Sequence, residues 1–229
     1  MKRACPAKAS SRGRTLVALA FISLGSGIAQ AQVTVNGGLG WSGGHDVGAA
    51  TATLRTNAPG ATPPPFTLFN VDTHMAPSLG GEVRVGVAIG SRFTIEGGVL
   101  LARPQLAFGI TGDRESSAQQ FDGETVQHYV FDGGLLWELP VLRSVRVRTF
   151  AAGGAGYLRQ LHQDRTLVES GQIYYAGGGM RYWLRGRPSS LRSLGVRGDV
   201  RLNLRHNGID FEDRTRIYPT LSFLMFLAL

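Results

Sequence analysis

Charged residues in this chain recur at every second position of alternating segments. Arg197, Asp199 and Arg201 follow one another in this way, and Glu82 and Arg84 repeat the spacing upstream. Glu96, Asp132, Glu138, Arg146 and Arg148 occupy the polar positions of three further segments. A spacing of two places side chains on one face of a β-strand. Two kinds of chemistry suit such a face. One is an ion path or small-ligand cavity. The other is an interlocked set of ion pairs, because a buried charge without a partner is costly. Arginine suits the second role, since its planar fork clamps a carboxylate through two hydrogen bonds. The candidate site is therefore the cluster Glu82, Arg84, Glu96, Asp132, Glu138, Arg146, Arg148, Arg197, Asp199 and Arg201, expected to fill an interior with salt bridges.

Other chemistries find less support. Nucleophilic catalysis needs a nucleophile and a base within hydrogen-bond reach. His45, His74, His128, His162 and His206 are scattered, and Ser116-Ser117 lies in a loop before His128. His162-Gln163-Asp164 reads as a solvated loop tripeptide. No two histidines stand at metal-ligand spacing, and the lone Cys5 lies near the N-terminus. The glycine-rich stretches lack the following lysine of a phosphate loop. Arginines alternating with Asp199 fit an interior ladder better than a phosphate track. The expectation is no enzyme activity, no cofactor, no metal and no nucleic-acid partner.

Eight segments must position the cluster. They are Val33–Gly43, Ser78–Gly90, Arg92–Ile110, Thr125–Leu139, Ser144–Arg159, Gln172–Arg185, Leu194–Arg205 and the terminal Thr215–Leu229. Most alternate with period two, which is a strong β signal. Leu79, Val83, Val85, Val87 and Ile89 oppose Glu82 and Arg84. Leu194, Val196, Val200, Leu202 and Leu204 oppose Arg197, Asp199 and Arg201. Pro104 predicts a bulge or strand end, because proline cannot donate to a ladder. Two segments are irregular. Phe150 falls on the face of Arg146 and Arg148, and the faces of Gln172–Arg185 are both aromatic.

The front of the chain has a different character. Lys2, Arg3, Lys8, Arg12 and Arg14 precede the apolar stretch 15–28, and Ala29-Gln30-Ala31 has the form of a cleavage site. Residues 1–31 are expected to be a signal peptide and 32–229 the mature domain. The formal charge of +8 falls to +3 once the five leader cations are subtracted, so the basic balance is weak evidence for nucleic-acid binding.

Alternation alone leaves the facing open. A soluble barrel also alternates, with its apolar face inward. Three features put the apolar face outside, against lipid. Long links (Gly44–Pro77, Thr111–Glu124, Leu161–Gly171, Asn207–Arg214) alternate with short ones (Gly90-Ser91, Pro140–Arg143, Gly186–Ser193). Phe93, Trp137 and Trp183 lie near the short turns, where aromatic rings favour a membrane interface. Tyr129 and Trp137 share a face eight residues apart, roughly 26 Å along a strand and close to the roughly 25 Å lipid band. Third, glycine pairs and a triplet recur within strands, leaving room for large interior side chains. A lipid-facing sheet must close, because an open edge in hydrocarbon leaves backbone groups unpaired.

In this plan, and in the ordered motifs Gly177-Gly178-Gly179-Met180-Arg181-Tyr182-Trp183 and Leu194-Gly195-Val196-Arg197-Gly198-Asp199-Val200-Arg201, the chain resembles the small outer-membrane β-barrels of Gram-negative bacteria, the OmpA-like/OmpX-like family. The resemblance covers the whole mature region. It implies an all-β, eight-stranded antiparallel up-and-down transmembrane barrel in a bacterial outer membrane, with a structural or surface-interaction role. Its implied partners are outer-membrane lipid, the barrel-assembly machinery and molecules met by the external loops. Family members commonly end in phenylalanine, which the assembly machinery reads. This chain ends in Leu229, with Phe226 three residues earlier. The alternatives are a narrow channel or small-ligand transport barrel, and a soluble periplasmic lipocalin-like barrel.

Overall fold

The computed structural model describes residues 32–54, 66–113, 117–141, 144–163, 167–186, 192–210 and 214–229. The expected signal peptide and Pro63-Pro64-Pro65 lie outside the described residues. Eight strands close into an antiparallel up-and-down barrel, as the alternation predicts. They are β1 (Val33–Ser42), β4 (Ser78–Ile89), β5 (Phe93–Ala102), β8 (Gln127–Glu138), β9 (Val147–Leu161), β10 (Val168–Arg185), β11 (Ser193–Asn207) and β12 (Arg216–Ala228).

Closure is made by the first and last strands. β1 pairs with β12 from Thr34↔Ala228 to Ser42↔Thr220 and with β4 on its other side. At the seam, Val33 N–H donates to the Leu229 carbonyl at 3.2 Å and Leu229 N–H to the Val33 carbonyl at 2.8 Å. In β12, Leu221, Phe223, Met225 and Leu227 point outward, as does Leu229 just after it, while Thr220, Ser222, Leu224 and Phe226 are buried inside. The same division holds along β4 and β11, where Leu79, Val83, Val85, Val200 and Leu202 stand exposed. Gly90, at φ +66, makes the tight β4–β5 turn in a conformation that suits glycine.

Two of the expected long links contain strands of their own. Gly44–Pro77 carries β2 (His45–Leu54) and β3 (Phe66–Met75), and Thr111–Glu124 contains most of β7 (Gln119–Thr125). The expected third segment, Arg92–Ile110, divides at Arg103-Pro104 into β5 and β6 (Gln105–Thr111). These four make a second sheet in the order β2-β3-β6-β7. They continue four adjacent barrel strands, β1, β4, β5 and β8, beyond the rim.

The junctions explain the break. Pro77 and Pro104 have no N–H for the ladder. Val126 N–H instead donates to the Pro104 carbonyl at 2.9 Å, and Ala76 N–H to the Gln105 carbonyl at 2.8 Å. β2 (HDVGAATATL) lacks strict alternation and has only Val47 and Leu54 as larger apolar residues, so its sequence presents a weak β signal.

The outward position of Val200, midway along β11, yields a first prediction. Refolded into lipid vesicles, Val200→Arg should lose about 2–4 kcal/mol of unfolding free energy, while Val200→Leu stays near wild type. A loss under about 1 kcal/mol for the arginine variant, measured by denaturant titration, would mean that this face does not meet hydrocarbon.

Candidate functional site

Nine of the ten predicted cluster residues point into the barrel. β4 supplies Glu82 and Arg84, β5 Glu96, β8 Asp132 and Glu138, β9 Arg148, and β11 Arg197, Asp199 and Arg201. Arg146 does not join them. It is exposed and precedes the first residue of β9, so the alternation that would turn it inward has not begun. Its carbonyl accepts from Trp183 N–H at 2.9 Å instead.

Arg84 is almost completely buried and touches three carboxylates. It clamps Asp132 bidentately at 2.8 and 2.6 Å, reaches Glu96 at 3.1 Å, and bonds Glu82 through Nε. Asp132 lies two strands away. Gly98 stands between them in register, opposite both Arg84 and Asp132. A Cβ at Gly98 would come within 2.8 Å of Arg84 Cγ, so the absence of a side chain there opens the guanidinium's path.

Arg197 forms the second centre. It holds Asp199 at 2.9 and 2.8 Å, and its two terminal nitrogens bond Glu96. β11 and β5 are four strands apart in a ring of eight, so this contact spans the barrel's diameter. Arg201 reaches Asp199 at 2.5 Å and Glu82 at 3.4 Å, and Ser222 Oγ on β12 also donates to Glu82. Glu96 and Glu82 thus each serve more than one arginine. Arg148 and Glu138 make a separate pair at 2.7 Å nearer the short turns.

Several interior residues escaped the sequence reading. Arg181 lies 3.8 Å from Glu96 and brings the central set to four arginines (Arg84, Arg181, Arg197, Arg201) against four carboxylates (Glu82, Glu96, Asp132, Asp199). The aromatic character of both β10 faces hid it. Phe150, the residue that broke the pattern, is inside, with the Arg197 and Arg181 guanidinium carbons 4.8 and 5.5 Å from its ring centroid. It supplies a π-face to two desolvated cations. Trp183 is also inside, edge-on to Phe226 at 5.2 Å, and so is not one of the interfacial rings. Tyr175 packs beneath Arg201 at 5.3 Å, into the space left by Gly134 and Gly154.

The interior changes character toward the long loops. Leu100, Val130, Leu158, Ile173 and Tyr218 form a buried apolar cluster beyond the charges. The space between the two zones is about 20 Å³, bordered by Glu82, Arg84, Asp132, Arg201 and Tyr218. That volume holds about one water molecule. A second cluster at the mouth joins Val47, Met75, Leu106, Val126 and Ile209. Ile209 belongs to the β11–β12 connection, and its N–H donates to buried Gln160 at 2.9 Å. Asp210 is gripped by Arg216 at 2.8 and 2.9 Å and by Arg205 at 3.4 Å.

The histidines take separate positions. His128 is buried inside, on the same face of β8 as Asp132 and Glu138. His45 stacks on Tyr218 at 4.9 Å. His162 is not simply solvated, since its Nδ1 lies 2.9 Å from Glu124. Ser116 and Asp164 lie outside the described residues. Among the described residues, no group of three or more His, Cys, Asp or Glu is arranged to hold a metal ion.

The barrel defines a class by its fold: the closed eight-stranded antiparallel architecture of outer-membrane barrel proteins. The chain is similar in structure to the outer membrane protein OprG of Pseudomonas aeruginosa, with a TM-score of 0.54 and 8% identity over 87% of this chain and 96% of that one. Ail, the attachment invasion locus protein of Yersinia pestis, aligns over 86% of this chain and 97% of its own, with a TM-score of 0.39 and 10% identity. No protein-family model matches the sequence, and no curated protein matches it.

Removing one member of a buried ion network strands its partners. Arg84→Leu should therefore cost about 3–5 kcal/mol in denaturant unfolding, and adding Asp132→Leu should recover part of that loss. Arg146→Gln, outside the network, should stay within about 0.5 kcal/mol of wild type. Equal effects of Arg84→Leu and Arg146→Gln would contradict this geometry.

The His45 site carries a pH dependence. Burial, then the positive charges of Arg205 and Arg216, hold its pKa down to about 4 from the usual 6.5, against the raising effects of the Gly43 backbone and Asp210. Between these values the unfolded imidazole binds a proton that the folded one does not. Its contribution to stability is thus complete above pH 6.5 and declines as pH falls toward 4. The unfolding midpoint should drop less between pH 7.5 and 4.5 in His45→Phe than in wild type. An identical drop in both would contradict this assignment.

Proposed function

We propose that the protein is an integral outer-membrane barrel with a structural and surface-interaction role, its lumen plugged by the charged network rather than serving as a conduit. The carrying observation is the opposition of the two faces. An exterior with exposed Val83, Val85, Ile95, Leu202 and Phe223 suits hydrocarbon, while Arg84, Glu96, Arg197 and Asp199 are interlocked inside. A soluble lipocalin-like barrel would need the reverse facing.

A conduction role would need a continuous polar path. The Arg197–Glu96 contact crosses the diameter, and an apolar layer follows it toward the loops. The function is accordingly non-enzymatic, with the chemistry of the interior spent on mutual neutralisation. Outer-membrane lipid is the partner of the outward face, and the barrel-assembly machinery that of the terminal strand. There Leu229 points outward, and Phe226 is turned into the lumen against Trp183.

A surface role is favoured by the second sheet. β2 and β7 are its edge strands. Such edges carry backbone donors and acceptors available to an added strand. The sheet continues half of the barrel wall past the rim, where an external partner would meet it.

Cell fractionation tests the location, and planar bilayers test the plug. The protein should partition with outer-membrane material and migrate faster on unheated SDS gels than after boiling. Reconstituted wild type should give no steady conductance. Recovery in the soluble periplasmic fraction would sink the membrane reading, and a steady wild-type current that Arg201→Ala enlarges would sink the plug.

A further inference from the structure

We propose that the outward surface around Tyr129, between Arg103 and Arg159, binds the phosphate of a phosphorylated glycolipid in the outer leaflet; this rests on the membrane placement proposed above. In the half of the barrel nearest the long loops, Arg159 is the one arginine at an outward strand position among the described residues. A cation facing lipid is costly unless it reaches an interface and a counter-charge. Neither the Arg159 nor the Arg103 side chain forms an ion pair or hydrogen bond with a described residue.

Register brings the two together. Tyr129 on β8 is the direct partner of Arg159 on β9 and of Leu101 on β5. Arg103 follows Leu101 by two residues and is exposed. Arg159 thus stands level with Tyr129, and Arg103, just past the end of β5, lies on the other side of β8 toward the loops; β5 and β9 are about 10 Å apart, twice the usual interstrand spacing. Long guanidinium side chains at that separation can converge on one phosphate group.

The neighbouring polar groups add donors. Tyr129 donates its hydroxyl to Gln127 Oε1 at 3.0 Å, and Tyr174 to Gln172 Oε1 at 3.2 Å. Each glutamine oxygen is thereby engaged, and each amide NH2 remains to donate outward. Ser170 stands in register beside Arg159 on β10. Cations and amide donors, with tyrosine rings below them, suit an anionic headgroup whose acyl chains continue down the apolar wall. The choice of lipid follows from the rim. The long connections lie on this side, and Val33 and Leu229, the paired ends of the described barrel, lie on the other. Long loops mark the external face of such barrels, where the leaflet of an outer membrane is phosphorylated glycolipid.

The test titrates the folded barrel in mild-detergent micelles with diphosphorylated lipid A, its singly dephosphorylated form and phosphatidylglycerol, reading bound lipid by native mass spectrometry. Wild type should retain the diphosphorylated form best. The Arg103→Gln/Arg159→Gln double variant should bind it roughly tenfold more weakly, a change of about 1.4 kcal/mol. Arg159→Lys alone should keep most of the affinity. Retained heat-modifiable migration checks that each variant is folded. Equal lipid A binding by the double variant, or phosphatidylglycerol binding as tight as lipid A in wild type, would overturn the proposal. Because this readout uses purified barrel, it is independent of the fractionation result that tests the placement.

Discussion

An arginine without access to water must meet carboxylate, and that requirement organises the barrel's centre. Arg84 and Arg197 are each about 1% exposed, and their shared partner Glu96 about 2%. Removing two charges from water costs several kcal/mol per ion, and only good geometry with extra hydrogen bonds offsets it. Here the offset is collective. Glu96 accepts from arginines on β4 and β11, Glu82 from arginines on the same two strands, and Asp199 from two arginines of its own strand. The network consequently ties opposite walls together, which backbone ladders between neighbours cannot do. It also fixes register. A one-residue slip of β11 would turn Arg197, Asp199 and Arg201 onto the apolar face and bring Val196, Val200 and Leu202 inside.

Space for those side chains comes from neighbours that have none. An eight-stranded barrel has an interior only wide enough for side chains to fill. Arginine and tyrosine fit because glycine lies where their atoms pass. A Cβ at Gly179 would meet Asp199 Oδ1 at 2.7 Å and Phe150 Cζ at 2.8 Å. At Gly177 it would lie 3.1 Å from Arg201 Cγ. The glycine triplet and the charged strand beside it are thus two halves of one packing solution. Glycine in a strand costs backbone entropy. The ion pairs and cation–π contacts it admits are the compensation.

Much of this was legible in the sequence. The terminal strand, the Ser78–Gly90 segment and Leu194–Arg205 alternate so cleanly that strand and charge cluster follow from spacing, and the alternating link lengths and ring positions then decide which face is outward. Other features depend on tertiary partners that no spacing encodes. Phe150 looks like an error in an arginine face until Arg181 and Arg197 are seen over its ring. Arg181 and Trp183 share a face with Tyr175, opposite Tyr174 and Tyr182, so aromatic content could not tell the sides apart. Arg146 was misplaced because alternation extends into any neighbouring residue, whereas the strand begins at Val147. The second sheet was missed for a related reason. Leu106, Phe108 and Ile110 of β6 do alternate and read as part of the Arg92–Ile110 segment, whereas β2 and β7 carry no continuous apolar stripe, so the sheet they complete is not legible from spacing.

The order of layers along the axis bears on why the interior stays closed. Ion pairs weaken steeply as water enters, since their attraction scales inversely with the local dielectric. The apolar cluster of Leu100, Val130, Leu158, Ile173 and Tyr218 stands between the charges and the long-loop mouth. It contributes burial of its own, and it also keeps the dielectric low where Arg84 and Arg201 need it low. Beyond it, Ile209 inserts into the outer cluster while Arg205 and Arg216 hold Asp210. Ile209 and Asp210, which follow β11, are therefore anchored by the two strands they lie between. Losing these contacts would expose Ile209 and uncouple Asp210 together, yet leave the inner apolar layer in place. Opening at the mouth and opening at the ionic centre are separate events, and only the second dismantles contacts that cross the barrel.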